Sequence, residues 1–182
     1  ADGGLWVSDD GAGADWRALN RGLDRPHIYS LVARRIGDAV TLFLGTSPAA
    51  LYRSDDLGES WAEIPSLLEV PGTGKWTFPP PPHIPHVKHI VAHPQEPETL
   101  FVLVEQGALL KSTDDGETWT ELAGYSEPGE IAYRDVHRLL ISANDPDLMY
   151  LASGEGLYTS TDGGNHWTHL MQRGDRIGYP DF

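Results

Sequence analysis

The stretch "STDDGETW" (112–119) has near-copies at "SDDLGESW" (54–61) and "STDGGNHW" (160–167), all with the pattern Ser-x-Asp-x-Gly-x-x-Trp. A fourth copy, "SDDGAGADW" (8–16), fits with one residue inserted before Gly13. The four serines stand 46, 58 and 48 residues apart, a period in the range of repeat architectures. Each box reads as a tight hairpin end. The Ser hydroxyl and the Asp carboxylate bond the turn backbone, Gly supplies a positive φ, and Trp folds back over the adjoining sheet.

Short strands flank every box: "ALYRS", "ALLKS" and "GLYTS" precede it, and "WAEI", "WTEL" and "WTHL" follow it. Two further strands lie upstream in each unit, "HIYSLVAR" and "VTLFLGT", "HVKHIVAH" and "TLFVLVE", then "DVHRLLIS" and "LMYLASG". Four strands per unit predict an all-β chain of four-stranded antiparallel propeller blades. The predicted single propeller segment divides into a partial blade 1–25, blades 26–82, 83–130 and 131–174, and the start of a further blade at 175–182. Its partners would then include the remaining blades, or another chain, to complete the ring and cover the open edges.

These boxes resemble the Asp-box, or bacterial neuraminidase repeat, of YVTN/BNR-like β-propellers. The resemblance spans essentially the whole chain and implies a structural turn on the outer part of each blade. That role falls to Ser8, Asp10, Gly13 and Trp16; Ser54, Asp56, Gly58 and Trp61; Ser112, Asp114, Gly116 and Trp119; and Ser160, Asp162, Gly164 and Trp167. Their carboxylates are therefore not counted as catalytic. The sialidases that share the repeat also carry an Arg-Ile-Pro motif, and the nearest stretch here, "RRIGD" (34–38), ends differently.

Composition bounds the function. The chain has 182 residues and no cysteine, so disulfides, thiolate nucleophiles and thiolate metal sites are excluded together. A formal net charge of −14 with 13 scattered Lys and Arg makes a phosphate backbone a poor partner, so no nucleic acid is expected. No apolar run approaches the roughly 20 residues of a membrane-spanning helix. The expectation is a soluble chain with no membrane partner and no readable signal segment, its compartment unknown.

The candidate site comes from aligning the first strand of each unit, the innermost in a propeller. His27, His86 and Asp135 take one equivalent place, and Tyr29, Lys88 and His137 another, two residues on. Residues two apart share a face of a regular strand, so all six are expected to face one central channel. His86, His137 and Asp135 are the candidate catalytic groups, because imidazole and carboxylate suit proton transfer near neutral pH. His27, Tyr29, Lys88, Glu105 and Arg176 are candidate ligand-binding residues, with Lys88 or Arg176 anchoring an anion. His27, His86 and His137 are the candidate ligands of a divalent metal ion, the one cofactor this pattern suggests. His89 has the opposite parity and is expected between blades. The proline run Pro79 to Pro82 is expected to form a lid rim with Trp76 and Phe78 as apolar cover.

The function expected is binding of a small anionic or carbohydrate-like ligand in a His-rich central channel, with a glycosyl-hydrolase-like or metal-dependent hydrolase as its enzymatic form. The alternative is a non-catalytic propeller scaffold for protein–protein interaction or assembly.

Overall fold

Hairpins dominate because each short apolar run is followed within a few residues by a turn that sends the chain back. The computed structural model describes residues 3–123 and 135–172. A two-stranded sheet pairs β1 (Trp6–Val7) with β2 (Arg17–Ala18). Three four-stranded antiparallel sheets follow. The first comprises β3 (His27–Ile36), β4 (Ala39–Ser47), β5 (Leu51–Ser54) and β6 (Ala62–Glu63). The second comprises β7 (Val87–Ala92), β8 (Leu100–Val104), β9 (Ala108–Ser112) and β10 (Thr120–Ala123). The third comprises β11 (Val136–Ile141), β12 (Met149–Ser153), β13 (Gly156–Ser160) and β14 (Thr168–Gln172). In each sheet the strands lie side by side in chain order, the blade arrangement of a β-propeller. Among the described residues no helix is long and apolar enough to cross a membrane.

The blade cores form between successive sheets. Phe43 and Leu51 of the first sheet pack with Val87, Ile90, Leu100, Val102, Val104, Ala108 and Leu110 of the second. Phe101, Leu103 and Leu109, on the opposite face of the second sheet, pack with Val136, Leu139, Met149, Leu151, Tyr158 and Trp167 of the third. Strands buried on both faces read as continuous apolar runs, which accounts for "LFVLV" in β8. Gly45 permits close approach of the first two sheets, since a Cβ there would sit 2.4 Å from Val87 Cγ1. A charged bridge reinforces the same junction: Asp115 pairs with both Arg34 and Arg53, and Arg34 also donates to the carbonyl of Pro97 at 2.7 Å.

Three boxes share one hydrogen-bond pattern. In the second, Ser112 Oγ accepts from the Gly116 N–H at 2.8 Å and donates to Asp114 Oδ1 at 2.8 Å. Asp114 Oδ1 in turn accepts from the Thr118 N–H at 2.9 Å. Ser54 and Asp56, and Ser160 and Asp162, repeat these bonds. Gly58, Gly116 and Gly164 have φ of 90°, 93° and 91°, in the left-handed region that favours glycine. The bonds to Ser60 and Ser54 hold the Asp56 carboxyl down at about 2, and those to His166 and Ser160 do the same for Asp162. Such carboxylates are structural acceptors.

The first box departs from this pattern. Its inserted residue brings the Gly13 N–H to Asp10 Oδ1 at 2.9 Å, and Trp16 remains 58% exposed while Trp61 and Trp167 are buried. The insertion from Pro65 onward also differs from the expected rim. It begins with two short 3-10 turns, Pro65–Glu69 and Thr73–Lys75, and it sends Leu67, Val70 and Trp76 into the core between the first two sheets. Trp76 is thus a core residue, packed against Gly107 just before β9, where a Cβ would meet its Cγ at 3.0 Å. Phe78 alone of the expected pair meets the site.

Candidate functional site

Each innermost strand carries one extra residue near its start. Ile28 and Ser30 oppose the neighbours Thr46 and Gly45, leaving Tyr29 unpaired; Val87 and His89 leave Lys88, and Val136 and Arg138 leave His137. Tyr29, Lys88 and His137 are therefore bulge residues at equivalent places in three blades. Bulges re-aim side chains and interrupt the two-residue alternation, so the uniform parity expected from sequence does not hold here.

The bulges gather polar groups around Glu105, which directly follows β8. Glu105 Oε2 lies 2.8 Å from His86 Nε2 and 2.9 Å from Lys88 Nζ. Its other oxygen, Oε1, lies 3.8 Å from His137 Nε2, which is itself 3.0 Å from Asp135 Oδ1. Burial by itself would raise the Glu105 carboxyl, but the hydrogen bonds from His86 and Lys88 outweigh it and hold the group below its ordinary range. The carboxylate can only accept, so Nε2 of His86 is the donor in this contact. His86 Nδ1 is buried with no hydrogen-bond partner. The His86 ring is stacked on Tyr29 at a centroid distance of 3.9 Å and meets the edge of Phe78 at 4.7 Å.

The aligned candidates do not all converge. His86, Lys88, Glu105, Asp135 and His137 form the cluster, with Tyr29 against it. His27 occupies the exposed first position of β3, opposite Ser47. Among the described residues, the group of three whose ligand atoms lie within 4.8 Å of one another is Glu105, Asp135 and His137. The candidate metal set His27, His86 and His137 is not that group: His27 sits at the exposed strand start, and His86 spends Nε2 on Glu105. Arg176 lies outside the described residues.

Beside the cluster opens a pocket of about 410 Å³, lined by Tyr29, Ser30, Leu31, Lys88, His89, His137 and Arg138. Arg138 was not among the sequence candidates. It follows the bulge at His137, and no local pattern announces that a bulge will bring it to the pocket. His89 lies between two blades, its Nδ1 accepting from the Leu139 N–H at 3.3 Å. Burial, with Arg138 nearby, drives its pKa down to about 4, so its imidazole is neutral at neutral pH.

Residues 49–180 match the family model described as Sortilin, neurotensin receptor 3. The chain is 29% identical over 142 residues to a xyloglucanase of Paenibacillus sp., covering 71% of this chain and 13% of that protein. It is 34% identical over 97 residues to xyloglucanase Xgh74A of Acetivibrio thermocellus, covering 46% of this chain and 12% of the relative. An ancestral GH74 enzyme of known crystal structure superposes with a TM-score of 0.71 at 18% identity, over 97% of this chain and 22% of that one. The chain thus spans about an eighth of the length of the curated relatives it matches first.

Proposed function

From the premise that this chain belongs to the Sortilin/Vps10 family of β-propellers, we propose that its inner-strand pocket binds a small anionic, carbohydrate-like ligand. The observation that carries this reading is the meeting of Lys88 and Arg138, from adjacent inner strands, in one pocket with Tyr29. Two cations on one pocket wall are unusual in a chain of net charge −14, and they suit a carboxylate or phosphate. Tyr29, 48% exposed, offers a ring face and a hydroxyl to a sugar-like body. The xyloglucanase relatives add weight to a carbohydrate ligand. Glu105 as the general acid of a glycoside cleavage is a poorer reading: that role needs a raised pKa, and this carboxyl is held low.

Isothermal titration with glucuronate, inorganic phosphate and a neutral xyloglucan oligosaccharide tests the proposal. Glucuronate or phosphate should bind, and Arg138→Ala should weaken binding about tenfold or more, the loss of one charge-assisted contact. Binding unaffected by Arg138→Ala, or binding of the neutral sugar alone, would overturn it.

A second reading, a platform completed by further blades or another chain, is favoured by a different observation. Phe43, Phe101 and Tyr150 occupy equivalent places, opposite Arg53, Lys111 and Thr159. Phe43 and Phe101 are fully buried beneath the following sheet, whereas Tyr150 is 38% exposed, with Leu140 at 61% on the same face. A surface equivalent to a blade interface suits another blade as its occupant.

A further inference from the structure

We propose that Glu105, Asp135 and His137 form a binding site for a first-row divalent cation, of the Zn²⁺ type, beside the inner-strand pocket. The three side chains come from two places in the fold: Glu105 just beyond β8, and Asp135 and His137 at the start of β11, the latter in its bulge. Their ligand atoms lie within 4.8 Å of one another. Around an ion with bonds of about 2.0 to 2.2 Å, tetrahedral ligands stand about 3.4 Å apart. The distances here bracket that figure: 3.0 Å between His137 Nε2 and Asp135 Oδ1, and 3.8 Å between His137 Nε2 and Glu105 Oε1.

The two oxygens of Glu105 have divided roles. Oε2 faces His86 and Lys88, and Oε1 faces His137. A ligand carboxylate fixed through its second oxygen is what an oriented metal site requires. Lys88 is 2.9 Å from Oε2, on the side of the carboxylate that the ion would not use, so it orients Glu105 and offsets its charge. The His137 side chain is fully buried, which fixes its ring. One imidazole with two carboxylates selects Zn²⁺ or Mn²⁺ over Ca²⁺ and Mg²⁺, which prefer all-oxygen shells. Three protein ligands leave a fourth position for water or an anionic ligand. The site shares His137 and the Glu105-paired Lys88 with the pocket reading but not Arg138, so the two can fail separately.

Zn²⁺ titrated into the full chain by isothermal calorimetry should bind one equivalent more tightly than Mg²⁺ or Ca²⁺. Asp135→Asn and Glu105→Gln should each weaken that binding by about tenfold or more, as loss of a ligand costs at least what loss of an outer-shell partner does. Arg138→Ala, which removes a pocket cation, should leave it unchanged. His166→Ala controls for the exposed His166–Asp162 pair and should also leave it unchanged. Co²⁺ bound to the unmutated chain should give the intense visible absorption of a four-coordinate ion, a readout independent of whether the variants fold. No Zn²⁺ binding, binding insensitive to both ligand substitutions, or binding abolished by His166→Ala would each overturn the proposal. Loss of anion binding in Arg138→Ala with Zn²⁺ binding intact would separate the pocket from the metal site.

Discussion

Glu105 and His86 lie 2.8 Å apart across the β7–β8 hairpin, a buried carboxylate and a buried imidazole joined through Oε2 and Nε2. Neither is tolerable alone in the interior: a buried carboxylate without donors costs several kcal/mol, and the pair with Lys88 offsets that cost.

Acid should therefore act on this cluster in a set direction. The folded-state pKa of Glu105 is depressed from an ordinary 4.5, so its stabilisation is fully present above that value and is lost as pH falls through the folded pKa. Glu105→Gln should be less stable than the unmutated chain at pH 7, and the gap should narrow below about pH 4. Urea unfolding midpoints measured across that range check this; a gap that stays constant with pH would contradict it.

His89 should set a second, separate slope. Its folded pKa of about 4 lies below the ordinary 6.5, so the folded state resists protonation that the unfolded chain accepts. Stability falls as pH drops through about 6.5, and the loss levels off below about 4. His89→Gln keeps an acceptor for the Leu139 N–H and removes the titration. Its denaturant midpoint should fall less than that of the unmutated chain between pH 7 and pH 5.

The boxes should differ in what they stabilise. Ser112 is buried and satisfies the buried Gly116 N–H, so Ser112→Ala should cost about 1–3 kcal/mol. The same change at half-buried Ser8, where Gly13 bonds Asp10 instead, should cost less than about 0.5 kcal/mol. Paired chemical-denaturation curves decide this, and zinc titration of Ser112→Ala should match the unmutated chain.

Asp115 should be the most sensitive acidic residue outside the cluster. It pairs with two arginines at the junction of two blades, one of them, Arg34, only 7% exposed. Asp115→Asn leaves Arg34 with a weaker partner and should cost about 3 kcal/mol, mainly as faster unfolding if the blades dock late. Stopped-flow unfolding reads the effect, and an unchanged unfolding rate with slower folding would place blade docking early instead.

The repeats, the hairpins and the strands of each blade were legible in the sequence, because box geometry depends on a few neighbours: Ser, Asp and Gly bond one another within each regular box. Glu105, His86 and Lys88 could likewise be named from strand order alone. What only the tertiary structure decided was direction. A single unpaired residue in each inner strand, at Tyr29, Lys88 and His137, turns the alternation of side chains, because a bulge arises from pairing between strands rather than from the strand's own composition. That turn brought Arg138 to the pocket, left His27 at an exposed strand start, and placed Asp135 and His137 beside Glu105. Trp76 entered the core for a similar reason: the chain after β6 folds into turns that fill the gap between two sheets, a gap that exists only once both sheets are in place.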